Sequence, residues 1–186
     1  MPLKNNATSY GSLSKLLHWV MAAIIITLIA VGIYMAGLPK ETMEQKQYAF
    51  QFYGLHKSFG VVILVLIFVR LVWIRVSPPP ALPAVFDAKE QKVVKLLQAL
   101  LYLLMVALPL SGYIMSNAGG YPINFFGLGE LPALVGESKK LGGIAHEAHE
   151  IMGFAILALI VLHMAGAIKH RLKDKGGESD ILKRML

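Results

Sequence analysis

The 186-residue sequence contains no cysteine. That removes disulfides, thiolate nucleophiles, iron–sulfur ligation and covalent CxxCH attachment of haem, so any haem iron falls to histidine or methionine. Charge is also scarce, at 16% of residues against 56% hydrophobic. One soluble core of this size does not bury so much apolar side chain, which points to a membrane protein. The formal net charge is +7. The basic residues flank apolar segments instead of forming one stripe, so no nucleic-acid partner is expected.

Four apolar runs stand out, at 16–38, 54–74, 96–115 and 151–168. Each has about the 20 residues that a helix needs to cross a hydrocarbon core of about 30 Å. Only helices or closed barrels span a bilayer. The expected fold is an all-α membrane protein, a four-transmembrane-helix bundle. It forms a single domain, 1–186, with helices at about 16–38, 54–76, 93–116 and 146–170. The polar stretch 1–15 precedes a run too long for an ordinary signal peptide, so the first helix is expected to be retained.

The tails and the 75–95 connection carry twelve Lys and Arg, against four in 39–53 and 116–150. By the positive-inside rule both termini and the Pro-rich connector SPPPALP (77–83) are expected in the cytoplasm. The location expected is a membrane crossed several times with its inner side toward the cytoplasm. Residues 119–143 form a longer Gly-containing outer loop, suited to covering something. Pro109 is expected to kink the third helix, with Ser111 and Gly112 helping to re-satisfy its backbone.

This topology gives each histidine a depth. His18 opens the first helix on the inner side, and His56 the second on the outer side. His149 and His163 mark the outer start and inner end of the fourth. Fourteen residues separate His149 from His163, about four turns and a rise of about 21 Å, so both rings leave one face far apart. Stacked haems require that arrangement, with His18 and His163 as one iron-ligand pair and His56 and His149 as the other. Arg70 lies fourteen residues after His56, on the same face at the inner level, where a haem propionate would compensate its charge. Gly60, Gly153 and Gly166 lie near the ligands and suit a flat group pressing on a helix, although small residues also serve ordinary helix packing.

Other readings of these residues remain. A lone histidine at headgroup depth is commonly a satisfied polar residue. His146 is the rival to His149, yet lies about 100° off the face of His163. His146 and His149 are spaced i, i+3 for a zinc ion, without an obvious third ligand. His170, among Lys169, Arg171, Lys173 and Lys175, suits a basic tail on anionic lipid.

The chain resembles the bacterial cytochrome b561 family along essentially its whole length. The resemblance is carried by LLHW (16–19), HKSFG (56–60) with Arg70, and ALPLSGYIM (107–115). It continues through Pro122, Phe126, Gly127, Leu128 and Pro132, and through HEIMGF…LH (149–163). It implies a dihaem, quinone-linked electron carrier whose haem ligands match His18, His56, His149 and His163. Short four-helix members include superoxide oxidases, which take an electron from superoxide at the outer face and reduce ubiquinone nearer the cytoplasm. His170 matches a residue associated with that quinone site. Gln98 stands where the related pattern can carry histidine, and its amide can still hydrogen-bond a quinone carbonyl.

The expected function is therefore a transmembrane cytochrome with two non-covalent, bis-histidine haem b groups. It moves electrons from an outer donor, superoxide or a redox protein, to membrane quinone, with ubiquinone as substrate and lipid as surroundings. Quinone candidates are Gln98, Arg75 and His170. Lys57, Lys139 and Lys140 are candidates for steering a small anion, with ordinary loop solvation as their alternative. Two other functions stay open: an anchor subunit relaying electrons between a partner enzyme and quinone, and a non-redox transporter using the histidines as a relay.

Overall fold

The computed structural model describes residues 2–186, and Met1 lies outside them. Four helices follow in chain order: α1 Ser12–Ala36, α2 Met43–Val76, α3 Ala88–Ala118 and α4 Lys139–Lys173. All four are long and apolar enough to cross a membrane. Among the described residues the only β pairing is an isolated bridge between Asn124 and Glu130. The chain is thus an all-α four-helix membrane bundle.

The helices run past the apolar runs at both ends. α2 has 34 residues. At a rise of about 1.5 Å per residue such a helix reaches about 50 Å, well beyond a hydrocarbon core of about 30 Å. Local capping sets the starts. Thr42 and Gln45 form a reciprocal capping box that begins α2 eleven residues before the apolar run, and Asp87 with Glu90 does the same for α3. His56 therefore lies thirteen residues inside α2 instead of opening it. The Ser138 hydroxyl likewise accepts from the Leu141 amide and starts α4 ten residues before His149. α3 continues on both sides of Pro109.

α1 packs on α2, α2 on α3 and α3 on α4. A small central cluster of Met21, Ile25, Ile63 and Ile67 is surrounded by Leu28, Tyr102, Met105 and Ile160. Most other large apolar side chains, Leu103, Phe154 and Leu162 among them, face outward, as lipid as a solvent permits.

Both ends of the bundle are closed by chain. On one, the terminal face, Asn5 bonds the Ser77 hydroxyl and carbonyl at 2.9 and 2.8 Å. Arg184 donates to the Thr8 and Ala81 carbonyls at 2.9 Å each, and Trp19 donates to the Met185 carbonyl at 2.9 Å. On the opposite, loop face, the segment between α3 and α4 folds back over the bundle. There Ser58 of α2 accepts from the Phe126 amide at 3.1 Å. Phe126 itself holds a left-handed φ of 51°, a conformation uncommon for a bulky side chain.

Candidate functional site

The helices bring four histidines together as two pairs. His18 of α1 faces His163 of α4 with ring centroids 6.2 Å apart and planes at 58°. His56 of α2 faces His149 of α4, also at 6.2 Å, with planes at 75°. The fourteen residues between His149 and His163 separate the pairs by about 21 Å along α4. One pair lies toward the terminal face and one toward the loop face.

These residues fit two irons with opposed imidazoles. A nitrogen–metal bond of about 2 Å, plus roughly 1 Å from nitrogen to ring centre, puts the centroids of two trans imidazoles about 6 Å apart. A side-chain carbon added at Gly60, Gly153 or Gly166 would meet nothing within 4 Å. Those glycines follow His56, His149 and His163 by three or four residues, on the faces that carry the rings. Among the described residues, no three His, Cys, Asp or Glu side chains converge into another metal cluster. His146 is exposed, its Nδ1 lying 3.2 Å from the Met115 sulfur, and it belongs to neither pair.

His149 is held by α3. Its Nδ1 lies 3.0 Å from the Leu108 carbonyl and 3.1 Å from the Ser111 hydroxyl. A proton placed on Nδ1 by these acceptors leaves the Nε2 lone pair free for a metal. His56 differs, because its Nδ1 is buried without a partner.

Arg70 belongs to the terminal-face pair. Its Nε donates to the Tyr102 hydroxyl at 3.0 Å, and it lies near both His18 and His163. Among the described residues the one ion pair is Arg171–Asp180, so Arg70 has no carboxylate partner among them. Tyr10 lies near Arg70, Tyr102 and Arg184. Burial raises its phenol above the ordinary value, and the Arg184 charge opposes that rise.

His170 stacks on Phe86 at 4.5 Å with planes at 31°, and its Nδ1 is buried without a partner. The two rings border a cleft of about 340 Å³ with Val85, Glu90, Lys173, Asp174 and Ser179. Gln98 and Arg75 are both exposed and do not line it. On the loop face, Lys57 is half-buried with its ammonium 5.6 Å from the Tyr121 ring centre, while Lys139 and Lys140 are exposed at the start of α4.

A family model described as prokaryotic cytochrome b561 matches residues 9–186. Cytochrome b561 homolog 2 of Escherichia coli (strain K12) is 31% identical over 190 residues, covering 100% of this chain and 95% of that protein. The chain belongs to the prokaryotic cytochrome b561 family. As a member it is a transmembrane b-type cytochrome of electron transfer, a multi-pass protein of a family that binds b-type haem.

Several residues at this b561 site escape a reading of the sequence by histidines alone. Gly32 backs the His56 ring and Gly112 backs the His149 ring. The fourteen-residue interval of α4 points to Gly32, which follows the ligand candidate His18 by fourteen, while no ligand candidate on α3 marks Gly112. Tyr102 and Phe86 carry no such signal, because each is defined by a neighbour distant in sequence.

Proposed function

We propose that this cytochrome holds two b haems, one between His18 and His163 and one between His56 and His149, and moves electrons from a loop-face donor to quinone at the terminal face. The observation that carries this is the recurrence of one geometry, paired imidazoles 6.2 Å apart, at two levels of one bundle. When bound, b haem supplies a one-electron iron couple. With His18 and His163, or His56 and His149, holding the iron between them, substrates would exchange electrons at the edge of the group.

Arg70 offers its guanidinium to a propionate at the terminal-face level. Its neutral Tyr102 partner and the lack of a carboxylate among the described residues support this. The favoured donor is superoxide, for which Lys57 is the best-placed cation, with Lys139 and Lys140 further out. The favoured acceptor is ubiquinone. His170, over its cleft against Phe86, is the strongest quinone candidate, with Arg75 and Gln98 on the outer surface of α2 and α3. The distribution of Lys and Arg supports placing both termini in the cytoplasm, and membership of a prokaryotic family supports a bacterial inner membrane.

The test is the purified protein with ubiquinone and a superoxide source. Reduced b-haem bands, superoxide consumption and quinol formation are expected. Haem reduction without superoxide turnover favours the second reading, a relay serving a partner redox enzyme. Absence of b-haem bands discards both and leaves a histidine relay.

A further inference from the structure

The two imidazoles of the loop-face pair are not held alike. His149 has two oxygen acceptors on Nδ1, the Leu108 carbonyl at 3.0 Å and Ser111 Oγ at 3.1 Å. Ser111 spends its own proton on the Leu108 carbonyl, at 2.7 Å, so its lone pairs stay available to His149. The His56 Nδ1 is buried and has neither. Behind each ring lies a glycine of the neighbouring helix. A side-chain carbon at Gly112 would stand 2.9 Å from His149 Cε1 and 3.1 Å from its Nδ1. At Gly32 it would stand 3.3 Å from His56 Cε1, which asks for only a small displacement.

We propose that Ser111 and Gly112, on one turn of α3, are positioning residues for the loop-face iron. Ser111, together with the Leu108 carbonyl it bonds, fixes the Nδ1-protonated tautomer of His149, and Gly112 leaves the ring the space to lie where Nε2 faces His56. Two consequences follow from the chemistry. An acceptor on Nδ1–H makes an axial imidazole a stronger donor and favours ferric iron. A methyl group at Gly112 pushes the ring toward the partner imidazole or rotates it, because the interior of a packed bundle gives way little. The terminal-face pair has no comparable arrangement on α3, so the effect is local to one iron.

This inference rests on the reading that His56 and His149 ligate a haem. Its test uses the full chain purified with its haems, with low-temperature electron paramagnetic resonance to read the g values of each ferric iron and a redox titration to read each midpoint potential. Ser111→Ala is expected to shift the loop-face midpoint, and Gly112→Ala to shift the loop-face g values or deplete that haem. Both variants leave the terminal-face signal in place. Gly143→Ala, on α4 where an added carbon meets nothing within 4 Å, is the control expected to change neither iron. If Gly112→Ala does not accumulate, Ser111→Ala decides, since it adds no bulk. Wild-type loop-face g values and midpoint in Ser111→Ala and in any Gly112→Ala obtained overturn the proposal. Failure of the underlying reading looks different: His149→Ala would then keep both haems.

Discussion

His56 of α2 and Ser58 two residues later connect the loop-face pair to the segment that covers it, through a 3.1 Å hydrogen bond from the Phe126 amide to Ser58 Oγ. The hydroxyl itself donates toward the Gly54 carbonyl at 3.0 Å, with the Asn124 carbonyl at 3.3 Å. Phe126 packs edge-on to Phe59 at 5.1 Å. One buried serine thus seats the covering loop beside the histidine.

Ser58→Ala is expected to loosen that loop. It leaves the Phe126 amide without its acceptor, a loss of about 1–3 kcal/mol, which favours local opening by about fivefold to a hundredfold. Hydrogen exchange at the amides of 124–130 measures this directly. Exchange equal to wild type would mean that Ser58 does not hold the loop.

Haem content should follow the pairs. His18→Ala or His163→Ala is expected to deplete the haem nearer the terminal face, and His56→Ala or His149→Ala the one nearer the loop face. His146→Ala, which removes an exposed ring bonded to Met115, should retain both. Pyridine haemochrome quantification and separate midpoints check it. Loss of one haem in His146→Ala would reassign the loop-face ligand.

The four spans and the spacing of their histidines were legible because hydropathy and the helical repeat are local. Helix starts were readable as well, from Thr42 with Gln45 and Asp87 with Glu90, yet a search for apolar runs stops where the chain leaves lipid. Gly32 needed the α4 interval applied to α1 from His18, and Gly112, with no histidine on α3, needed the packing of α3 on α4. The Ser58–Phe126 and Arg70–Tyr102 contacts span 68 and 32 residues. Each joins two elements whose relative rotation no local pattern encodes. At the glycines expected beside the ligands, Gly60, Gly153 and Gly166, an added side-chain carbon would meet nothing within 4 Å.

Superoxide-driven quinone reduction is expected to slow with salt and to slow in Lys57→Gln more than in Lys139→Gln or Lys140→Gln. Lys57 adjoins His56 in sequence and is half-buried, while the other two are exposed and follow Glu137 closely. Screening sets in beyond about 10 Å at 0.1 M salt, so a solvated lysine loses its pull first. A rate independent of salt in wild type would remove steering.

The strap formed by residues 174–186 should be acid-sensitive. Asp180 is 1% exposed and accepts from the Gly176 amide at 2.9 Å, the Lys183 amide at 3.1 Å and Arg171 at 3.3 Å. The Gly176 hydrogen bond is the largest cause holding its carboxyl below the ordinary 3.8. A depressed folded-state value means that the stabilisation is full above that unfolded value and is lost as pH falls through the folded one. At neutral pH, Asp180→Asn is expected to speed proteolysis within 174–186 and to change Trp19 emission, since Trp19 bonds Met185. An unchanged cleavage rate would mean that Asp180 does not hold the strap closed.

Arg70 supports the most exposed prediction. Its guanidinium donates to Tyr102, lacks a carboxylate among the described residues, and lies near His18 and His163. A fixed positive charge near an iron disfavours the ferric state, so Arg70→Gln should lower the midpoint of the terminal-face haem while both haems stay bound. At an effective dielectric of about 20, a unit charge several ångströms away contributes on the order of 1 kcal/mol or more. A phosphate of the lipid headgroups is the competing partner for such a side chain, reached by extending its stem toward the membrane surface. The hydrogen bond to Tyr102 favours the inward orientation and yields a second test. Tyr102→Phe keeps the charge and removes only the hydroxyl, so its midpoint should move much less than that of Arg70→Gln. Redox titration of both variants decides: equal midpoints in wild type and Arg70→Gln assign the arginine to lipid and discard the propionate contact.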